Sequence, residues 1–250
     1  MHALAYEQHT ELEARHWWFR GRRAVCTGLL RDELAGEAPK RVLDLGAGSG
    51  GFLAELRALG AQVVYTDLDA GVLAACRERG FPNGVRARGE GLPFRDASFD
   101  LVCLFDVLEH IADDVHALRE VRRVLRPGGH VCLHVPAHPF LFARNDEVAG
   151  HERRYTRRSL DRALQSAGFT ARRNGHTNML LFPLIAPVVL AMKAADKLRL
   201  TPRGDYTNLS WDPPAVVHEA LYRLFAMERF LSRRVDLPVG HSIVALYRPA

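Results

Sequence analysis

From the end of an apolar run at 41–45, the chain reads Asp44-Leu45-Gly46-Ala47-Gly48-Ser49-Gly50-Gly51. Glycines at this density let a backbone turn tightly and let a ligand approach with no Cβ in the way. The helical pattern that follows would offer its first N–H groups to a polar ligand. On spacing alone two ligand classes fit, because Gly46, Gly48 and Gly51 also satisfy the G-x-G-x-x-G fingerprint of dinucleotide sites. Asp44 separates them: a carboxylate at the strand end would repel a pyrophosphate and suits an ammonium group.

A second group with chemical potential is Asp106, Glu109 and His110. If helical, their i, i+3, i+4 spacing puts all three on one face. A mixed carboxylate and imidazole set of this kind can ligate a divalent cation, an option left open with no metal site assigned. His110 could instead act as a general base, since an unperturbed imidazole titrates near neutrality. The plain structural alternative is a strand exit in which His110 only makes a hydrogen bond. His138 and His151 follow in the next loop region as further candidates.

Two basic-aromatic segments complete the inventory, at 16–23 (His-Trp-Trp-Phe-Arg-Gly-Arg-Arg) and at 151–158 (His-Glu-Arg-Arg-Tyr-Thr-Arg-Arg). Guanidinium forks suit a phosphate or carboxylate on a substrate, and Arg153 and Arg154 are the foremost candidates. Otherwise the tryptophans staple an N-terminal helix to the core while the arginines sit in water.

These residues need a scaffold, and the pattern from 41 to 135 supplies one. Short apolar runs at 41–45, 62–66, 85–88, 99–105 and 130–135 alternate with helical periodicity, the mark of βαβ units and a parallel sheet. Gly60 and Gly80 stop the first two helices, and Asp113 or Asp114 caps the next. Pro127, Gly128 and Gly129 turn that helix into the fifth strand. Beyond it, 156–167 reads as a helix closed by Gly168, with a sixth strand from 169. Asp212 reads as the cap of a helix that begins with Pro213 and Pro214. A last strand runs over 241–247. The stretch 179–192 is apolar and broken by Pro183 and Pro187. It is too short and kinked to span a bilayer, and reads as a core-facing helix or else as a lid, interface or interfacial anchor.

The motifs in order resemble those of class I methyltransferases that use S-adenosylmethionine (SAM), in the type 11 group. They are the D-x-G-x-G-x-G turn within 42–52, Asp67 at the end of strand two, and Leu92-Pro93-Phe94. Then come Ser98-Phe99-Asp100-Leu101-Val102, Leu108-Glu109-His110 and Leu125-Arg126-Pro127-Gly128-Gly129. The likeness is strong over roughly 40–136. It implies an α/β fold: a Rossmann-like seven-stranded sheet, mostly parallel with an antiparallel last strand, and helices on both faces. It also implies SAM as cofactor and S-adenosylhomocysteine (SAH) as product. Asp44, Gly46 and Gly48 would line the methionine half, Asp67 would hold the ribose, and Leu68 would pack on the adenine. Where this group usually has an acidic residue against the adenine amino group, Arg88 stands here, so Gly89 and Glu90 are expected to take that role.

Composition agrees with an ordinary globular domain. The 250 residues are 48% hydrophobic and 25% charged, with a net charge of +5. Only Lys40, Lys193 and Lys197 are lysines. Four cysteines without a C-x-x-C pair suit a reducing compartment, and the polar start does not read as a secretory signal, so a cytoplasmic protein is expected. The expectation is one domain over 1–250, with a helical N-terminal cap at 1–39 and acceptor-pocket and apolar insertions within 137–240. Its activity would be methyl transfer to a small-molecule or lipid-like acceptor, anionic if the arginines bind it, with oxygen favoured as the acceptor atom. No nucleic-acid partner and no transmembrane span are expected; peripheral membrane contact and oligomeric state stay open. The rivals are a non-catalytic SAM-binding regulatory protein and, lower, a nicotinamide-dependent oxidoreductase, which Asp44 and the lack of a Tyr-x-x-x-Lys pair disfavour.

Overall fold

Alternate residues of the central strands carry apolar side chains in both directions, so the sheet must be covered on both faces. The computed structural model describes residues 12–36, 38–198 and 211–250. Its strands are β1 (Arg41–Leu45), β2 (Gln62–Asp67), β3 (Gly84–Arg86), β4 (Phe99–Phe105), β5 (Leu125–Pro136), β6 (Phe169–Thr177) and β7 (Ser242–Pro249). They form one seven-stranded sheet in the order β3-β2-β1-β4-β5-β7-β6. The pairs from β3 through β5 are parallel, and β7 runs antiparallel to both β5 and β6. That is the expected Rossmann-like sheet. Strand five starts earlier than expected, and the Pro127-Gly128-Gly129 turn is absorbed into its start.

The helices are α1 (Trp17–Glu33), α2 (Leu53–Arg57), α3 (Ala70–Glu78), α4 (Asp114–Val124), α5 (Arg144–Ala149), α6 (Arg157–Ser166), α7 (Phe182–Lys197) and α8 (Ala215–Leu231). On one face Val42, Tyr65, Leu101, Cys103 and Leu246 pack against Leu30 of α1, Leu53 of α2 and Phe225 of α8. On the other, Leu43, Val64, Val102, Leu104 and Val131 pack against Leu118 and Val121 of α4 and Leu160 of α6. The period-two alternation along β1 and β4 splits the core into these two layers. All four cysteines are buried and unbridged.

Two expectations from the irregular half change. The Asp212 carboxylate does not cap α8, whose N-cap is Pro214; it accepts a hydrogen bond from His218 Nε2 at 2.8 Å and pairs with Arg15. The 179–192 segment is not a core-facing helix. Of α7 only Val189 is buried, with Ile185 partly covered, while Leu184 and Val188 are 66% and 58% exposed. Its apolar character therefore lies on the outer surface. No helix among the described residues is long and apolar enough to cross a membrane.

The N-terminal cap is fixed by close packing of α1 on α8. A Cβ at Gly21 would lie 2.2 Å from Phe225 Cδ1, and Phe225 is fully buried against Trp17. Gly21→Ala should therefore destabilise the fold by about 1–3 kcal/mol, the usual range for overpacking. Urea unfolding checks this, and a midpoint equal to wild type would contradict the packing.

Candidate active site at the strand ends

In an open α/β sheet the ligand crevice forms outside the carboxyl ends of the strands where the order reverses. Here that point lies between β1 and β4. Asp44, near the end of β1, is only 2% exposed. Burial pushes its carboxyl up to about 8; the charges of Glu13 and Asp67 add to the shift and Arg22 opposes it.

The turn after β1 is bent back so that Gly46 N and Ala47 N both donate to Thr66 O at 2.9 Å. Gly46 has φ +72°, and a Cβ there would lie 2.7 Å from Val107 Cγ2. Glycine is thus demanded twice, by backbone angle and by space. Gly48 N donates to Asp67 Oδ2 at 3.0 Å, and Asp69 N donates to Asp67 Oδ1 at 2.9 Å. The Asp67 carboxylate is thereby oriented at the end of β2, half-buried, with lone pairs to spare. Leu68 beside it is 51% exposed. Gly89 is buried against Ile111, and Glu90 lends its carbonyl to His116 Nε2 at 3.0 Å.

Sequence reasoning missed Glu13. Its carboxylate accepts a hydrogen bond from Ser49 Oγ in the glycine turn and closes against Gly51, where a Cβ would collide with it. Arg23 donates to Glu13 O at 2.9 Å and pairs with Glu55 at 3.4 Å. The cap and the turn are thus joined by charge, which no local pattern around residue 13 could reveal.

Asp106, Glu109 and His110 do not share a helical face. Asp106 leaves β4 with φ +57°, and 108–110 is a single 3₁₀ turn. Asp106 is clamped by Arg22 from α1 and by His134 Nδ1 of β5 at 2.8 Å. Burial alone would raise its carboxyl, but His134 and Arg22 hold it well below the usual carboxylate range. Arg22 is therefore no solvated arginine; its guanidinium is buried over Trp18 and Phe52 at 4.7 and 5.1 Å. Glu109 is fully buried and neither of its oxygens has a hydrogen-bond partner. Burial, with Asp106 nearby, pushes its carboxyl well above the usual range.

His110 Nδ1 faces Gly150 O at 3.0 Å, and its ring meets that of His151 at 4.7 Å between centroids. Burial and His151 lower its pKa to about 4, so it is neutral at pH 7 and a weak base. One ligand-capable atom each from Glu109, His110 and His151 lies within 4.8 Å of the others. His138 lies apart from them, stacked on His176 at 5.2 Å.

Arg153 and Arg154 do not present their heads to a ligand. Arg153 donates to Ile111 O and Ala112 O at 2.9 and 2.8 Å and pairs with Asp114. Arg154 is buried on Asp146 at 2.8 Å. Arg153 pins the loop after β5 to the strand-four exit, and Arg154 ties that loop to itself through Asp146 and Ala137 O, because a guanidinium beside carbonyls and a buried carboxylate is satisfied there first.

Residues 43–133 match the family described as "Methyltransferase domain". A demethylmenaquinone methyltransferase of Mycobacterium sp. (strain KMS) is 41% identical over 113 residues, which cover 45% of this chain and 46% of that protein. The ubiquinone/menaquinone biosynthesis C-methyltransferase UbiE of Pectobacterium carotovorum is 34% identical over 118 residues, covering 43% and 44%. The chain thus spans about half the length of the curated relatives it matches. Among solved structures, the S-adenosylmethionine dependent methyltransferase from Mesorhizobium loti superposes with TM-score 0.54 at 20% identity, over 83% of this chain and 90% of that one. The [4+2]-cyclase SpnF superposes with TM-score 0.58 at 20% identity, over 89% and 79%. Both show the shared fold.

Because the folded chain holds the Asp44 proton up to about pH 8 while the unfolded chain releases it near 3.8, ligand-free stability should fall as pH rises between those values. Asp44→Asn should flatten that decline and raise the melting temperature at pH 8. Thermal melts across pH 4–8 test this, and an Asp44→Asn profile parallel to wild type would contradict it.

Proposed function

We propose that this chain, whose residues 43–133 form a class I methyltransferase domain of the type 11 group, transfers a methyl group from SAM to a small lipophilic acceptor. The observation that carries the reading is the pair of aspartates at the ends of neighbouring strands, Asp44 and Asp67, on either side of a turn only glycine can make. When bound, the cofactor supplies a sulfonium-activated methyl. Asp44 would take its ammonium group, with Gly46 and Gly48 giving the methionine half backbone access. Asp67, fixed by Gly48 N and Asp69 N, would accept from the ribose hydroxyls. Leu68 offers the adenine an exposed apolar surface, with Gly89 and Glu90 at its edge in place of the acid that Arg88 replaces. On this reading the described part of the cap, 12–36, closes the cofactor side and the described parts of the insertions, 137–198 and 211–240, form the acceptor side, the rest of the cap and insertions expected at 1–39 and 137–240 lying outside the described residues.

Positioning does most of the work in such a transfer, since an in-line acceptor held near the sulfonium needs little acid–base help. The cap helix brings Arg22 onto Asp106 and so fixes the exit of β4. With its pKa lowered to about 4, His110 is too weak a base to drive the transfer, and with Asp106 and Glu109 it would act by shaping the charge and the wall of the strand-four exit. The relatives' names point to a quinone-like ring and to methylation on carbon, which replaces oxygen as the favoured acceptor atom in this reading. A lipophilic acceptor also suits the outward apolar face of α7 and Phe140, which is 55% exposed, and those residues could rest on a membrane surface. An anionic acceptor loses its main support, because Arg153 and Arg154 are occupied internally. A non-catalytic SAM-binding role keeps the same cofactor contacts and differs only in turnover.

Calorimetry with SAH should show binding by wild type and a loss of about tenfold or more for Asp67→Ala, the scale of one charged hydrogen-bonding partner. Wild-type affinity in Asp67→Ala would overturn the assignment. Turnover of a reduced, ring-unsubstituted naphthoquinone with SAM, followed by mass spectrometry, separates enzyme from non-enzyme, and the NMR shift of the new methyl group separates carbon from oxygen methylation.

A further inference from the structure

Glu109 is the polar group that the site leaves unexplained. It is completely buried, and both carboxylate oxygens lack a donor. An unpaired buried carboxylate costs several kcal/mol unless it gains a proton or a cation. Two imidazoles, His110 and His151, each bring a ring nitrogen within 4.8 Å of it, with the charges of Asp106, Arg22 and Asp146 also near. The Nδ1 of His110 lies 3.0 Å from Gly150 O, and the Nδ1 of His151 lies 2.9 Å from Asp146 Oδ1. A carbonyl and a carboxylate can only accept, so both rings donate from Nδ1, which leaves Nε2 as the nitrogen free to meet a ligand. Asp146 is itself fully buried and held by Arg154 Nε at 2.8 Å and Ala143 N at 2.9 Å. A carbonyl or carboxylate behind each imidazole is the arrangement that fixes tautomer and orientation in metal-ligating histidines.

Asp106, which its place in sequence would add to the set, is turned instead to Arg22 and His134, while the donor atoms that lie within 4.8 Å of one another are those of Glu109, His110 and His151. The third donor comes instead from His151, on the far side of α4 and β5 in sequence, carried back by the loop that Arg153 and Arg154 anchor. We infer that Glu109, His110 and His151 bind a divalent first-row transition cation such as Zn²⁺ or Co²⁺, through one carboxylate and two Nε2 atoms. Two imidazoles and one carboxylate match the preference of those ions over Mg²⁺ or Ca²⁺. Three protein donors leave a coordination position for water or a ligand oxygen. The assignment stands independently of the methyl-transfer reading.

The test is a titration of the chelator-stripped full chain with CoCl₂, followed by visible d–d absorption. Wild type should saturate at about one equivalent and lose the band to Zn²⁺. His151→Gln and Glu109→Gln should each weaken Co²⁺ binding by about tenfold or more, and Asp146→Asn by about tenfold. His116→Gln should bind as wild type. Absence of a saturable band, or wild-type Co²⁺ affinity in His151→Gln, would overturn the site. Should the variants fail to fold, pulsed EPR of Cu²⁺-loaded wild type decides: two imidazole nitrogens support the site, and one or none refutes it. SAH affinity measured on the same stripped protein keeps failure here distinct from failure of the cofactor assignment.

Discussion

The structure depends on an imbalance of buried charge at the ends of β1 and β4. Asp44, Asp106 and Glu109 are gathered there with Glu13 close by, and the buried cation among them is Arg22, which Asp106 claims directly. Carboxylates cannot all stay ionised in such a place, so Asp44 and Glu109 are pushed toward their neutral forms while Asp106 keeps its charge. A cleft built this way is poised for cations. The ammonium and sulfonium of a methionine-derived cofactor would answer Asp44, and a metal ion would answer Glu109.

That imbalance also explains why the N-terminal helix belongs to the site. Arg22 reaches Asp106 only because α1 is seated on α8 through Gly21 and Phe225. Arg23 and Glu13 then tie the same helix to the glycine turn. Loss of the cap would expose apolar residues and also leave Asp106 without its guanidinium, a costly state for a partly buried acid. Packing on one side of the sheet and electrostatics on its edge are therefore one device.

Much of this was legible in sequence, and the divide follows the range of the interactions. The strands, the sheet class and the Asp44 to Gly51 turn are written in local alternation and in glycine spacing, so they could be read directly. The Arg22 to Asp106 pair spans 84 residues, and nothing near either residue announces the other. For the same reason Arg153 and Arg154 read as ligand-binding when they are internal ties, and His151 could not be matched to Glu109. The 179–192 helix stayed undecided between core and outer face because apolar composition states what a helix would bury, not whether anything covers it. Asp212 failed as a cap because His218 and Arg15 compete for its carboxylate.

The central claim is that Asp44 is an acid held neutral until a cationic cofactor arrives. Calorimetry of SAM binding at pH 7 in buffers of different ionisation enthalpy counts the protons exchanged. Net proton release that disappears in Asp44→Asn, with affinity for wild type rising toward pH 8, is the predicted result. Proton release unchanged in Asp44→Asn, at undiminished affinity, would contradict the account.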